Sequence, residues 1–137
     1  MDTFILEVEL LKSIGIIGTR RRNSIQDEFK VRAAFNAIYK EGDTIVSGGC
    51  PQGGDRFAEY IAKKEQVPIL IHYARWKQYG KAAGFIRNGD IAGDADVLIA
   101  CVASDRTGGT EDTIIKFLQI NKLTEQEAIE KGLLILP

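Results

Sequence analysis

The sequence predicts an α/β fold: a three-layer sandwich in which a mainly parallel, five-stranded sheet carries helices on both faces. Short apolar runs alternate with stretches whose apolar residues recur at helical spacing. The runs lead into glycine or polar loops, as buried parallel strands do. A chain of 137 residues has the length of one domain, so residues 1–137 are read as a single one.

The elements follow in order. Thr3 to Leu11 alternates with a period of two, which predicts an extra N-terminal strand or arm. Ser13 to Gly18 is the first strand of the main series. Ser24 with Asp27 opens a helix that should run to about Glu41, where Gly42 stops it. Thr44 to Ser47 is the second strand, and Gly48 to Asp55 a glycine loop. Arg56 to Glu65 reads as a helix that buries Phe57, Ala58, Ile61 and Ala62. Pro68 to His72 is the third strand, and Ala74 to Gly80 a loop holding Trp76 and Tyr79. Lys81 to about Ile91 is helical, and Ala95 to Val102 is the fourth strand. A loop from Ala103 to Gly109 leads into a helix from Thr110 to about Ile120. Thr124 and Glu127 form a capping box, Gly132 ends that short helix, and Leu133 to Leu136 is the last strand. Counted from the Ser13 strand, the expected sheet order is 3-2-1-4-5, a Rossmann-like arrangement. Ligands in such sheets bind beyond the carboxyl ends of the strands, here where the first and fourth part.

Composition removes several classes. Lys+Arg 18 against Asp+Glu 19 gives a net charge of −1, unlike a protein that holds duplex nucleic acid by charge. Two cysteines, Cys50 and Cys101, make no disulfide framework, and the single histidine, His72, builds neither a zinc site nor a Ser-His-Asp triad. No apolar run approaches the length of a membrane span, and the N-terminus lacks a signal-peptide pattern. The expected location is the cytoplasm. No metal and no resident cofactor are expected.

Loops rich in Gly, Ser, Thr or Arg leave the first, second and fourth strands. They are Gly18-Thr19-Arg20, Ser47-Gly48-Gly49 through Gly53-Gly54-Asp55, and Ser104 through Gly108-Gly109-Thr110 to Thr113. Glycine lets backbone amides approach an anion, and a helix start adds unpaired donors and partial positive charge. A phosphate there gains about 1–2 kcal/mol from the dipole and about 1.5–3 kcal/mol for each charge-assisted hydrogen bond. A few such bonds reach micromolar affinity. The dinucleotide fingerprint Gly-x-Gly-x-x-Gly and the Walker lysine motif are both absent.

The ordered series Gly18-Thr19-Arg20, Val46 to Asp55, Trp76-x-x-Tyr79-Gly80-Lys81-x-Ala83-Gly84-x-x-Arg87-Asn88, Ala95 to Ala100 and Gly109-Thr110 resembles the SLOG superfamily, near its small YspA-like branch. These are Rossmann-like proteins for nucleotides or nucleotide-derived molecules. The resemblance implies a nucleotide-derived ligand as partner, and a second copy of the chain as another, since related proteins pair as homodimers. Nucleic acid and membrane are not expected partners. The same superfamily holds the LOG phosphoribohydrolases, which cut the N-glycosidic bond of nucleoside monophosphates. Arg87 is similar in placement to their helix arginine, and Gly109-Thr110 to their Gly-Thr, but Thr113 stands where they carry a catalytic Glu. Molybdenum-cofactor carriers are a third branch, similar at Gly53-Gly54-Asp55.

The expected ligand set is therefore Gly18, Thr19, Arg20, Ser47, Gly48, Gly49, Gly53, Gly54, Asp55, Trp76, Arg87, Asn88, Gly108, Gly109, Thr110 and Thr113. If a reaction occurs, Arg87, Asp55 and Glu111 are the catalytic candidates. Several have a second reading. Asp55 holds a ribose hydroxyl or catalytic water, or caps the Arg56 helix. Arg87 faces ligand, or pairs with Asp90 or Asp94. Trp76 and Tyr79 stack on a base, or pack in a lid or dimer contact. Arg21 and Arg22 read as a solvated run.

Overall fold

The structure is a computed structural model that describes residues 11–137. The strand or arm expected over Thr3 to Leu11 lies outside the described residues, Leu11 excepted. The elements are β1 (Ser13–Gly18), α1 (Ile25–Ile38), β2 (Thr44–Ser47), α2 (Gly54–Glu65), β3 (Ile69–Ile71), α3 (Trp76–Tyr79), a 3-10 turn (Gly80–Ala82), α4 (Ala83–Asp94), β4 (Val97–Cys101), α5 (Gly109–Asn121), α6 (Glu125–Lys131) and β5 (Leu133–Leu136).

One five-stranded sheet runs in the order β3-β2-β1-β4-β5, with every neighbouring pair parallel. This is the 3-2-1-4-5 order the sequence predicts. Central β1 pairs with β4 from Ile14↔Val97 to Gly18↔Cys101, and with β2 from Ser13↔Thr44 to Gly15↔Val46. Successive strand residues face opposite ways, so the sheet feeds two cores. Ile14, Ile16, Ile45, Ile99 and Cys101 pack with Val31 and Phe35 of α1 and Phe57 and Ile61 of α2. Ile17, Val46, Leu98 and Ala100 pack with Ile91 of α4, Ile114 and Phe117 of α5 and Ala128 of α6. Each fully buried Ile, Leu or Phe side chain contributes about 1.5–3 kcal/mol, so the paired cores hold the helices on the two faces.

Local chemistry sets the ends. Ser24 and Thr124 both form complete capping boxes, with Asp27 and Glu127 as partners. Helix α1 stops at Ile38, short of Glu41, because Tyr39 turns to extended backbone. Helix α2 begins at Gly54, where a Cβ would lie 2.2 Å from the Gly18 nitrogen. Glycine is therefore what lets the start of α2 sit directly on β1. The segment expected as a loop from Ala74 to Gly80 contains the one-turn helix α3.

Arg22 corrects the expectation of a solvated run. Its Nε donates to Asp27 at 2.9 Å, and its Nη1 to the carbonyls of Val102 at 3.0 Å and Leu136 at 2.7 Å. The side chain folds back over the carboxyl ends of β4 and β5 and satisfies carbonyls there.

Candidate functional site

A cleft of about 1070 Å³ opens at the carboxyl ends of the strands. That is the size of a small-molecule site. Its walls come from four stretches. The loop after β1 contributes Gly18, Thr19, Arg20 and Arg21, and the loop after β2 contributes Gly48, Gly49, Cys50 and Pro51, with Asp55 behind it. The start of α5 contributes Thr107, Gly108, Gly109, Thr110 and Thr113. The fourth wall carries Tyr73 and Trp76 beyond β3, and Lys81, Phe85, Arg87 and Asn88 from the helical segment after it. The loops after β1, β2 and β4 thus converge on one cleft, since β1 and β4 lie side by side where the winding reverses.

The start of α5 is built to donate. Gly108 precedes the helix at φ +102° with open space around it. No side chain caps the helix, and the amides of Gly109, Thr110 and Glu111 have no acceptor among the described residues. Thr110 is 8% exposed, lines the cleft, and its hydroxyl has no partner among the described residues. Asn88 steadies this turn from α4, donating to the Gly109 carbonyl at 3.3 Å and to Asp112 at 3.1 Å.

The glycine loop after β2 is fixed from behind. Asp55 accepts the Ser47 hydroxyl on one oxygen at 2.9 Å and the Cys50 amide on the other at 3.0 Å. Arg87 donates to the Gly48 carbonyl at 2.6 Å. It pairs with neither Asp90 nor Asp94; the Asp94 carboxylate instead lies 2.6 Å from His72 Nε2. Arg20 makes no ion pair or side-chain hydrogen bond among the described residues, and Asp55 is the only carboxylate among them that lines the cleft. The cleft is therefore cationic.

Ser47, Gly53, Gly54 and Glu111 are not among the residues lining the cleft. Ser47 is buried, with its hydroxyl oxygen 2.6 Å from the Ile16 carbonyl and 2.9 Å from Asp55, two acceptors that share its one proton. Gly53 and Gly54 pack against the backbone around Gly18 and Thr19. Glu111 accepts from Arg106 at 2.7 Å, and Arg106 also reaches Glu125 at 2.6 Å. Both carboxylates raise the Arg106 pKa above its ordinary value. Thr113 spends its hydroxyl proton on the Gly109 carbonyl at 3.1 Å.

Sequence reasoning missed Tyr73, Phe85 and Arg21 as cleft residues. Two signals were available. Gly84, Arg87, Asn88 and Ile91 stand at i, i+3, i+4 and i+7, so one face of α4 turns toward the cleft. Tyr73 lies just past the carboxyl end of β3, on the same rim as the other loops.

The sheet defines an α/β, Rossmann-like fold with an open cleft at the strand ends. No protein-family model matches the sequence, and no curated protein does. Among solved structures, the chain is similar to the molybdenum cofactor binding protein from the phototrophic bacterium Rippkaea orientalis, at a TM-score of 0.63 and 18% identity. The match covers 93% of this chain and 90% of that one. It shows the fold. No helix among the described residues is long and apolar enough to cross a membrane.

Proposed function

We propose that this chain is a SLOG-type protein that binds a nucleotide or nucleotide-derived phosphate ligand in the cleft. The start of α5 carries the reading. Open amides at Gly109 and Thr110 and the Thr110 hydroxyl, which reaches the cleft without a partner among the described residues, converge where the helix dipole favours an anion. Gly48, Gly49 and Arg20 flank the phosphate, and Trp76, Tyr73 and Phe85 give the cleft aromatic surface for a planar heterocycle. Binding rather than catalysis fits the side chains. Both Asp55 oxygens are engaged, Glu111 is held by Arg106, and Thr113 is no acid or base at neutral pH.

Thermal unfolding with AMP, ADP, ADP-ribose and inorganic phosphate tests this. A ligand at a hundred times its Kd stabilises the fold by about 2.7 kcal/mol. A folded sample that shows no shift at millimolar concentrations of any of the four sinks the reading. Incubation with AMP, followed by chromatography for free adenine, tests the phosphoribohydrolase alternative; no adenine is expected.

A second reading takes the molybdenum cofactor as cargo, favoured by the name of the structural neighbour. A pterin ring and a phosphate would use the same aromatic wall and the same α5 amides. Molybdenum measured in the purified protein by mass spectrometry, in proportion to the chain, would favour this reading over the nucleotide.

A further inference from the structure

Arg21 and Asp105 form a bidentate pair between the loops that follow β1 and β4. Nη1 meets one carboxylate oxygen at 2.9 Å, and Nη2 meets the other at 3.0 Å. Nη2 also lies 3.3 Å from the Thr107 carbonyl and 3.2 Å from its hydroxyl. Arg21 and Thr107 line the cleft, Asp105 does not, and Thr107 directly precedes Gly108. The guanidinium that adjoins the open α5 amides is thus occupied by a carboxylate of the protein itself.

We propose that Asp105 is a built-in competitor for the ligand: it holds the Arg21 fork that an anion seated on Gly108 to Thr110 would otherwise engage. This rests on the phosphate-binding reading above and concerns how that site is tuned. Asp105 takes the Nη1/Nη2 edge of the guanidinium, and that edge accepts one bidentate partner at a time, so carboxylate and phosphate exclude each other on it. The two side chains are 55% and 52% exposed, so water can replace either partner during exchange. The carboxylate end is tethered to its own loop. The Thr107 amide and hydroxyl both bond Asp105 Oδ1, at 3.2 and 2.8 Å, and neighbouring Arg106 is clamped to Glu111 and Glu125. The arginine is therefore the partner that moves. Arg22 has no such freedom, being tied to Asp27 and two carbonyls. Hydrogen bonding to Arg21 and to Thr107 also holds the Asp105 carboxyl well below the usual carboxylate range.

The test is a double-mutant cycle read by calorimetric titration with AMP and with inorganic phosphate. The chains are wild type, Asp105→Asn, Arg21→Gln and the double variant. Asparagine keeps the Oδ1 acceptor for Thr107, and melting curves verify that each variant folds. Asp105→Asn is expected to bind AMP about three- to tenfold more tightly than wild type. In the Arg21→Gln background the same change is expected to do nothing. A gain of equal size without Arg21 would mark a general charge effect and overturn the proposal. Unchanged or weaker binding by Asp105→Asn, with wild type still binding, overturns it and leaves the phosphate reading standing. Silence from all four chains overturns both.

Discussion

Arg87 donates its Nη1 to the Gly48 carbonyl at 2.6 Å, joining α4 to the glycine loop after β2. Its Nε meets Asn88 Oδ1 at 3.1 Å, and Asn88 in turn holds the Gly109 carbonyl. One helix thus ties together the two backbone stretches that would cradle an anion. Asp55 grips the same glycine loop from the other side through the Cys50 amide. The residue expected to act on a ligand has a positioning role written into its contacts.

That relationship predicts a graded response at Arg87. Arg87→Lys keeps the charge and one donor for Gly48 but loses the second contact to Asn88. Arg87→Ala loses both. Affinity for AMP should fall about fivefold for lysine and about a hundredfold for alanine. Alanine should also lower the melting temperature by a few degrees, roughly the effect of 1 kcal/mol in a chain of this size. Titration and melting on the same samples check it. Wild-type affinity in Arg87→Ala would remove Arg87 from the site.

Two glycines separate folding from binding. A Cβ on Gly54 would lie 2.2 Å from both the Gly18 nitrogen and the Ile17 carbonyl carbon, and backbone cannot swing aside. Gly54→Ala should destabilise the fold by about 3 kcal/mol or more, as overpacking against main chain does. A Cβ on Gly109 meets only the Asn88 amide, at 3.8 Å. Gly109→Ala should keep wild-type stability in urea yet weaken AMP binding about tenfold, since the methyl crowds the anion. Normal binding by a stable Gly109→Ala would place the anion elsewhere.

The strand order was legible because each strand is a short apolar run with its own terminator, and because parallel crossovers leave few topologies. Ser24 and Thr124 announced their helices through capping boxes, which are local chemistry. What stayed illegible depends on contacts far apart in sequence. Three consecutive arginines give no hint that Arg22 folds under, Arg21 reaches Asp105, and Arg20 stays unpaired among the described residues. Gly53 and Gly54 read as anion amides, yet they serve close packing of α2 on β1. Glycine spacing looks the same for either use. Helix α3 spans four residues, closed by the Tyr79 amide on the Arg75 carbonyl, too short for periodicity to register.

Asp43 supplies a pH test of the fold. It is 1% exposed and accepts the Lys12 amide at 2.9 Å, the Lys40 amide at 2.9 Å and the Lys12 ammonium at 2.6 Å. Burial alone would push its carboxyl up, but the hydrogen bonds from Lys12 and Lys40 and the Lys12 charge outweigh it. The carboxyl sits below its ordinary value of 3.8. A group whose folded pKa is depressed stabilises the fold above its unfolded pKa, and that stability is lost as pH falls through the folded pKa. Asp43→Asn turns an amide NH₂ toward donors and should cost about 2 kcal/mol at neutral pH. As pH falls below the ordinary carboxylate value the unfolded chain takes up the proton first, and only below the lowered folded value does the native carboxyl follow, so the gap between the two chains should narrow across that interval and close beneath it. Urea unfolding of both chains at neutral and at strongly acidic pH checks this. A gap that stays constant across that range would mean that shape, not charge, makes Asp43 matter.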